Sequence, residues 1–242
     1  MSIRIALLLA LALHERDADD APTRNRRIYT PGVRLFRPKG RAQLDFSSET
    51  ALQLGVSRAT TSPDDTRDLN HQAFFTHADL GYTFDAPPKP RVVLLYDYAS
   101  GDGNPTDGRQ GRFDTLFGAR RFEFGPTGIY GAFARSNVSS PGARVEVQPL
   151  PLLDMFVGYR AFWLARARDA WIPNGLLDPT GSAGSFLGHQ LEARAVFRPL
   201  PGNVTLELGV AHTVLGPFPR HVTSAYTVED PTYAYAQITI DG

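Results

Sequence analysis

The chain has 242 residues, no cysteine, and 25 basic and 25 acidic residues, so its formal net charge is zero. The lack of cysteine excludes disulfide scaffolds and thiolate zinc sites, and the balanced charge argues against a general nucleic-acid-binding protein. A hydrophobic content of 42% excludes a disordered chain. The longest apolar run, Ile5 to Leu13, is nine residues long, whereas a helical membrane span needs about 20.

The first element along the chain is this apolar run itself. Arg4 before it and the small residues Ala10 and Ala12 within it resemble a secretion signal, but the run is shorter than a usual leader. We therefore predict a first strand over residues 3–13, followed by a second, weakly patterned strand over residues 28–37.

Alternation of apolar and polar residues becomes clear over Ala42–Ser57. Even positions such as Leu44 and Leu52 are mainly apolar, whereas odd positions such as Asp45 and Gln53 are almost all polar. A period of two over this length predicts one long strand with an apolar and a polar face. The same pattern predicts further strands over residues 74–84, 92–98, 143–148, 154–163, 190–198, 204–210 and 234–240, about ten strands in all and no convincing amphipathic helix.

The connections between these strands alternate strictly in length. Short, proline-rich connections span residues 38–41, 86–90, 149–151 and 199–203, and long polar ones span residues 14–27, 58–70, 101–136, 165–188 and 216–230. Outer-membrane barrels have short turns at the periplasmic side and long external loops, whereas Greek-key sandwiches have no reason to alternate in this way. Aromatic residues near strand ends, among them Tyr82, Tyr98 and Trp163, fit the interfacial girdles of a barrel.

Two fold classes are compatible with these patterns. One is all-β, an antiparallel up-and-down transmembrane β-barrel, and the other is a soluble all-β domain with a core face and a wet face. Apolar positions are spread evenly over the strands, and the polar faces carry pairs such as Arg144/Glu146 and Glu192/Arg194. A water-filled lumen accounts for both features, so the pattern favours the barrel.

Segment 96–131, YDYASGDGNPTDGRQGRFDTLFGARRFEFGPTGIYG, resembles the alginate export family of outer-membrane β-barrels. The similarity continues through segment 178–199, DPTGSAGSFLGHQLEARAVFRP, and covers nearly the whole chain from about residue 9. The resemblance implies a channel in the outer membrane of a Gram-negative bacterium that exports alginate, an anionic polysaccharide. It also implies a barrel of about 18 strands, so we expect residues 1–242 to form a single domain, the C-terminal part of a barrel that is incomplete at its N-terminal side.

Arginine has a defined role in such a channel, because a guanidinium ion binds a sugar carboxylate through two parallel hydrogen bonds. Polar positions of successive predicted strands place several charged residues toward the lumen. The candidates are Arg144, Arg160 and Arg194, together with the acidic residues Glu146, Asp154, Glu192 and Glu207. Mixed charges attract a polyanion without trapping it. The alternative is a ladder of salt bridges that only supports the barrel wall.

The long connection over residues 101–136 is rich in glycine, proline, arginine and phenylalanine, and either folds inward as a constriction or packs externally. The candidate constriction residues are Arg112, Arg120 and Arg121. The spacing of Asp102, Asn104 and Asp107 resembles part of a calcium loop but lacks the later bidentate glutamate, so we predict no metal and no cofactor.

Enzyme signatures are absent from the sequence: it has no G-x-S-x-G, no H-E-x-x-H and no phosphate-binding glycine loop, and its six histidines are scattered. We therefore predict a non-catalytic outer-membrane channel for diffusion or export of an anionic polysaccharide such as alginate, or of small anionic solutes. Its other partner is membrane lipid. The alternative function is that of a soluble or cell-surface carbohydrate-binding β-sandwich.

Overall fold

The computed structural model of the chain describes residues 4–15, 25–115, 124, 130–172, 174–200, 202–223 and 229–241. Strands dominate these residues. They are β1 (Arg4–Glu15), β2 (Arg26–Arg37), β3 (Gln43–Ser57), β4 (Leu69–Thr83), β5 (Arg91–Ala99), β6 (Arg109–Gln110), β7 (Val138–Leu150), β8 (Leu153–Trp163), β9 (Phe186–Leu200), β10 (Val204–Leu215) and β11 (Thr232–Ile240), with one short helix, α1 (Pro217–Val222). Over the described part of the chain, no helix has the length and apolar character needed to cross a bilayer.

All of these strands belong to a single sheet in the order β1-β2-β3-β4-β5-β7-β8-β9-β10-β11, and the two-residue β6 pairs in parallel with β4. Strands that follow each other in this order run antiparallel. In the ranges described, β1 and β11 do not pair with each other, so the sheet is open at these two edges. The predicted up-and-down antiparallel architecture is thus confirmed as part of a barrel, and the described residues form one sheet where a sandwich needs two.

The predicted alternation of connection lengths is also confirmed. Short connections join β2 to β3, β4 to β5, β7 to β8 and β9 to β10, and long ones join the other successive strands of the ladder. Because the strands are antiparallel, all short connections lie at one end of the sheet, the short-turn end, and all long ones at the other, the loop end. The sequence pattern missed β6 and α1, which lie within long connections and are too short to show a period.

The two faces of the sheet are inverted relative to a soluble protein. On the polar face, Gln53 and Asp97 are at most 1% exposed, whereas Leu208 on the apolar face is 60% exposed. The register produces this segregation: Asp45 lies opposite Gly81, and its neighbour Leu44 lies opposite Tyr82 on the other face. Buried polar and exposed apolar side chains are the distribution of an outer-membrane barrel wall.

An aromatic cluster covers the loop end of the polar face. Phe75 and Phe162 project from the wall, and residues of the long connections pack onto them. The rings of Phe133 and Phe162 stack with centroids 3.6 Å apart. The buried members include Phe75, Phe113, Phe124, Phe133, Phe162, Leu164, Trp171, Leu187 and Phe218. This cluster is the hydrophobic core of the described residues, and it lies at the loop end of the polar face.

Candidate anion-binding site on the polar face

At the short-turn end, the polar face opens into a cleft of about 540 Å³, here called the basic cleft. Its charged lining residues are Lys39, Lys89, Arg91, Arg144, Arg194, Arg198, Glu146 and Asp154. Six of these side chains are basic and two are acidic. The local excess of positive charge contrasts with the zero net charge of the whole chain and suits an anionic ligand.

Short turns and strand ends bring these residues together from distant parts of the sequence. Lys39 lies in the β2–β3 connection, and Arg91 is the first residue of β5. The antiparallel register of β5 and β7 sets Arg91 directly opposite Glu146. Arg144 lies two residues before Glu146 on β7, so both side chains point to the same face.

Glu146 lies at the centre of the charged side chains in the basic cleft. Its Oε1 lies 3.0 Å from Nη1 of Arg91 and 2.9 Å from Nη2 of Arg144, and its Oε2 lies 3.5 Å from Nζ of Lys39. Arg91 also donates to both carboxylate oxygens of Asp45, and its Nε–Oδ2 distance is 3.1 Å. One carboxylate therefore faces three cationic side chains, and one of these, Arg91, has two further acidic partners, Asp45 and Asp79.

Two further ion pairs complete the cleft wall. Nη2 of Arg194 donates to Oε2 of Glu207 at 2.5 Å, and the hydroxyl of Tyr235 donates to Oε1 of the same carboxylate at 2.5 Å. Nη1 of Arg198 donates to Oδ2 of Asp154 at 2.5 Å. The cations of β9 are thus oriented by carboxylates on β8 and β10.

Arg160 lies outside the basic cleft, further toward the loop end. Its Nη1 donates to Oδ2 of the buried Asp97 at 2.7 Å, and Nδ1 of His77 lies 2.7 Å from the other oxygen of this carboxylate. The guanidinium group also lies 5.4 Å from the ring centroid of Phe124. Glu192 likewise lies outside the cleft and accepts a hydrogen bond of 3.3 Å from Gln190. This arrangement matches the ladder alternative more closely than an open ligand site.

Arg112, one of the three candidate constriction residues, joins two long connections. Its Nε donates to both oxygens of Asp169, at 3.0 and 2.9 Å, and its Nη2 also binds this carboxylate. Burial lowers the pKa of Arg112, but the hydrogen bonds and charge of Asp169 outweigh this effect and raise it overall. Arg112 thus faces a carboxylate at the loop end and not the basic cleft. Arg120 and Arg121 lie outside the described residues.

The oxygens of Asp102, Asn104 and Asp107 accept hydrogen bonds within their own turn. Oδ1 of Asp102 accepts from the N–H of Asn104 at 3.1 Å, and Oδ1 of Asp107 accepts from the N–H of Arg109 at 2.9 Å. Burial raises the pKa of Asp102, and the nearby charges of Asp169 and Asp107 add to this effect. Within the described ranges, no three histidine or acidic side chains gather as metal ligands.

Four basic residues of the cleft are not among the candidates predicted from the sequence. Lys39 and Lys89 lie in turns, where strand alternation assigns no face. Arg91 and Arg198 do follow the alternation of their strands, so their position on the polar face was readable from the sequence. On β5, the apolar residues Val93 and Leu95 share the face of Arg91, so alternation alone does not mark that face as polar.

A single antiparallel sheet with an exposed apolar face and a charged polar face is the wall of an outer-membrane β-barrel. The family model for alginate export matches residues 10–230. The chain therefore belongs to the alginate export family, a family of outer-membrane channels that export polysaccharide and not of enzymes. A comparison with curated proteins found no match.

Proposed function

We propose that the chain forms part of the wall of a conduit for an anionic polysaccharide such as alginate, or for small anionic solutes, and that its polar-face arginines line this conduit. The observation that carries the proposal is the basic cleft, with six basic and two acidic side chains. Guanidinium groups match uronate carboxylates in shape and charge, and the acidic residues keep the attraction weak enough for release.

The predicted arginines take different parts in this proposal. Arg144 and Arg194 line the basic cleft and meet the polyanion there. Arg160, which is 12% exposed and bound to Asp97, supports the wall. The apolar face, with residues such as Leu208, contacts outer-membrane lipid.

Ion selectivity in planar bilayers tests the proposal. The refolded chain is inserted, and the reversal potential is measured across a potassium chloride gradient. We expect anion preference, and a several-fold lower ratio of anion to cation permeability in Arg144→Glu and Arg194→Glu, because each puts a negative charge into the cleft.

Arg41→Glu is the matched control. It makes the same charge change at the same end of the sheet, but Arg41 is highly exposed, pairs with Asp85 and does not line the cleft. An unchanged reversal potential in both cleft variants would contradict the proposal.

A further inference from the structure

The geometry around Glu146 points to a carboxylate-binding site that is filled by the protein's own side chain. We infer that Glu146 is a tethered occupant of a site for a sugar carboxylate, and that a uronate of the polysaccharide displaces it. Lys39, Arg91 and Arg144 come from three different elements and converge on this single carboxylate. The inference rests on the proposed function and deepens it by naming where a uronate binds.

The cations around Glu146 have unused capacity for a ligand. Nε of Arg144 is buried and has no hydrogen-bond partner among the described residues. Buried donors without partners are rare in folded proteins, so Arg144 holds a donor that Glu146 does not satisfy. Arg144 and Lys39 each have Glu146 as their one acidic partner within 4.0 Å in the described part of the chain.

Exposure separates this cluster from a structural ion pair. The side chains of Arg91 and Asp45, which pair through two hydrogen bonds, are 9% and 4% exposed. Those of Glu146 and Lys39 are 21% and 69% exposed, and both open into the basic cleft. An incoming carboxylate takes over the ion pairs that Glu146 makes, so exchanging one carboxylate for the other costs little free energy.

This exchange explains how a channel binds each sugar briefly. When a uronate leaves, the carboxylate of Glu146 returns to the cations, so that the cations are never left without an anion. The intramolecular competitor therefore shortens the residence of each sugar and favours passage over trapping.

Binding of trigalacturonate to the full chain refolded in detergent tests this inference, with titration calorimetry as the readout and the neutral trisaccharide maltotriose as the comparison ligand. In Glu146→Gln the competitor loses its charge, so we expect trigalacturonate to bind at least about threefold more tightly than to the wild type. Glu49→Gln is the matched control: Glu49 lies opposite His77 on the polar face, outside the cleft, and its variant keeps the wild-type affinity.

Two negative results separate the inference from the proposed function. If trigalacturonate binds better than maltotriose but Glu146→Gln binds it no more tightly than the wild type, the tethered-occupant inference is wrong and the proposed function stands. If no variant prefers trigalacturonate over maltotriose, the proposed function fails and the inference with it.

A change in heat-dependent gel migration reveals whether Glu146→Gln has failed to fold. In that case a second variant, Glu146→Asp, tests the inference. Glu146→Asp keeps the negative charge and withdraws the carboxylate by one methylene from Arg91 and Arg144. We expect tighter trigalacturonate binding than in the wild type, by a smaller factor than for the glutamine variant. Unchanged or weaker binding overturns the inference.

Discussion

At the scale of single residues, Asn137 holds two long connections together. Its Nδ2 donates to the carbonyl oxygens of Arg166 and Ala170, both at 3.1 Å, and its Oδ1 accepts from the N–H of Arg166 at 2.8 Å. Its φ of 49° lies in the left-handed region, which asparagine tolerates better than most residues. One buried amide therefore satisfies backbone groups that no strand pairs.

Replacement of the Asn137 amide lowers the stability of the protein. We expect Asn137→Ala to lower the free energy of unfolding by about 2–3 kcal/mol, because three hydrogen bonds are lost and alanine is strained at positive φ. Asn137→Gly loses the same bonds without the strain and costs less. Guanidinium unfolding in detergent, followed by the fluorescence of Trp171, measures the effect.

The control for this prediction is Asn104→Ala, in an exposed turn where, among the described residues, the side chain bonds only to Thr106. Its stability stays close to that of the wild type. Equal stability of the Asn137 and Asn104 variants would show that the buried amide does not hold the connections together.

At the scale of elements, the connection from β5 to β7 is held against the wall by side-chain amides. These amides form hydrogen bonds with its backbone, as a neighbouring strand would. Nε2 of Gln53 donates to the carbonyl oxygen of Asp114, and the N–H of Asp114 donates to Oε1 of Gln53, both at 2.8 Å. Nε2 of Gln190 donates in the same way to the carbonyl oxygen of Phe124 at 3.2 Å. Buried glutamines thus supply partners for a connection that lies over the polar face.

Loss of the Gln53 amide is expected to release this connection. In Gln53→Leu the volume is kept, but both hydrogen bonds to Asp114 are lost, together with those to Thr30 and His71 within the wall. Local opening of the connection therefore becomes about 1–3 kcal/mol easier. The refolded chain is digested with trypsin, and cleavage after Arg109 and Arg112 is followed by mass spectrometry. We expect faster cleavage there, while the strands on the main path of the sheet, from β1 to β5 and from β7 to β11, stay intact.

Gln43→Leu makes the same substitution at the short-turn end, where Oε1 of Gln43 accepts from Nη2 of Arg37 at 2.8 Å. Cleavage after Arg109 and Arg112 keeps its wild-type rate in this control. If both variants are cut equally fast, the amide of Gln53 does not restrain the connection.

The elements differ in how far the sequence predicts them. Alternation predicts the bounds of the long strands to within five residues, and those of β3, Gln43–Ser57, to within one. Contacts such as Gln53–Asp114 join residues 61 positions apart, which no local pattern reports. The basic cleft combines both cases: Arg144, Arg194, Glu146 and Asp154 were named from alternation, whereas Lys39 and Lys89 needed the packing of the turns.

At the scale of the whole molecule, the two faces of the sheet define two environments. Charged side chains such as Asp45 and Arg91 are buried on the polar face, and Val157, Leu208 and Ile240 are exposed on the apolar face. Within a bilayer this distribution is favourable, because the exposed side chains meet hydrocarbon and the buried ones meet water or each other. In water it leaves a continuous apolar surface exposed, which soluble proteins avoid.

Arginine substitution at different depths distinguishes the two environments. Leu208 lies within β10 and Leu200 ends β9 at the short-turn end, and both are 60% exposed. In lipid vesicles, we expect Leu208→Arg to lower the free energy of unfolding by about 2–4 kcal/mol and Leu200→Arg by about 1 kcal/mol or less, because the cost of a cation falls toward the membrane surface. Guanidinium titration followed by tryptophan fluorescence gives both values. Equal small losses would mean that the apolar face does not contact the hydrocarbon of the membrane, since a water-exposed leucine accepts arginine at either position.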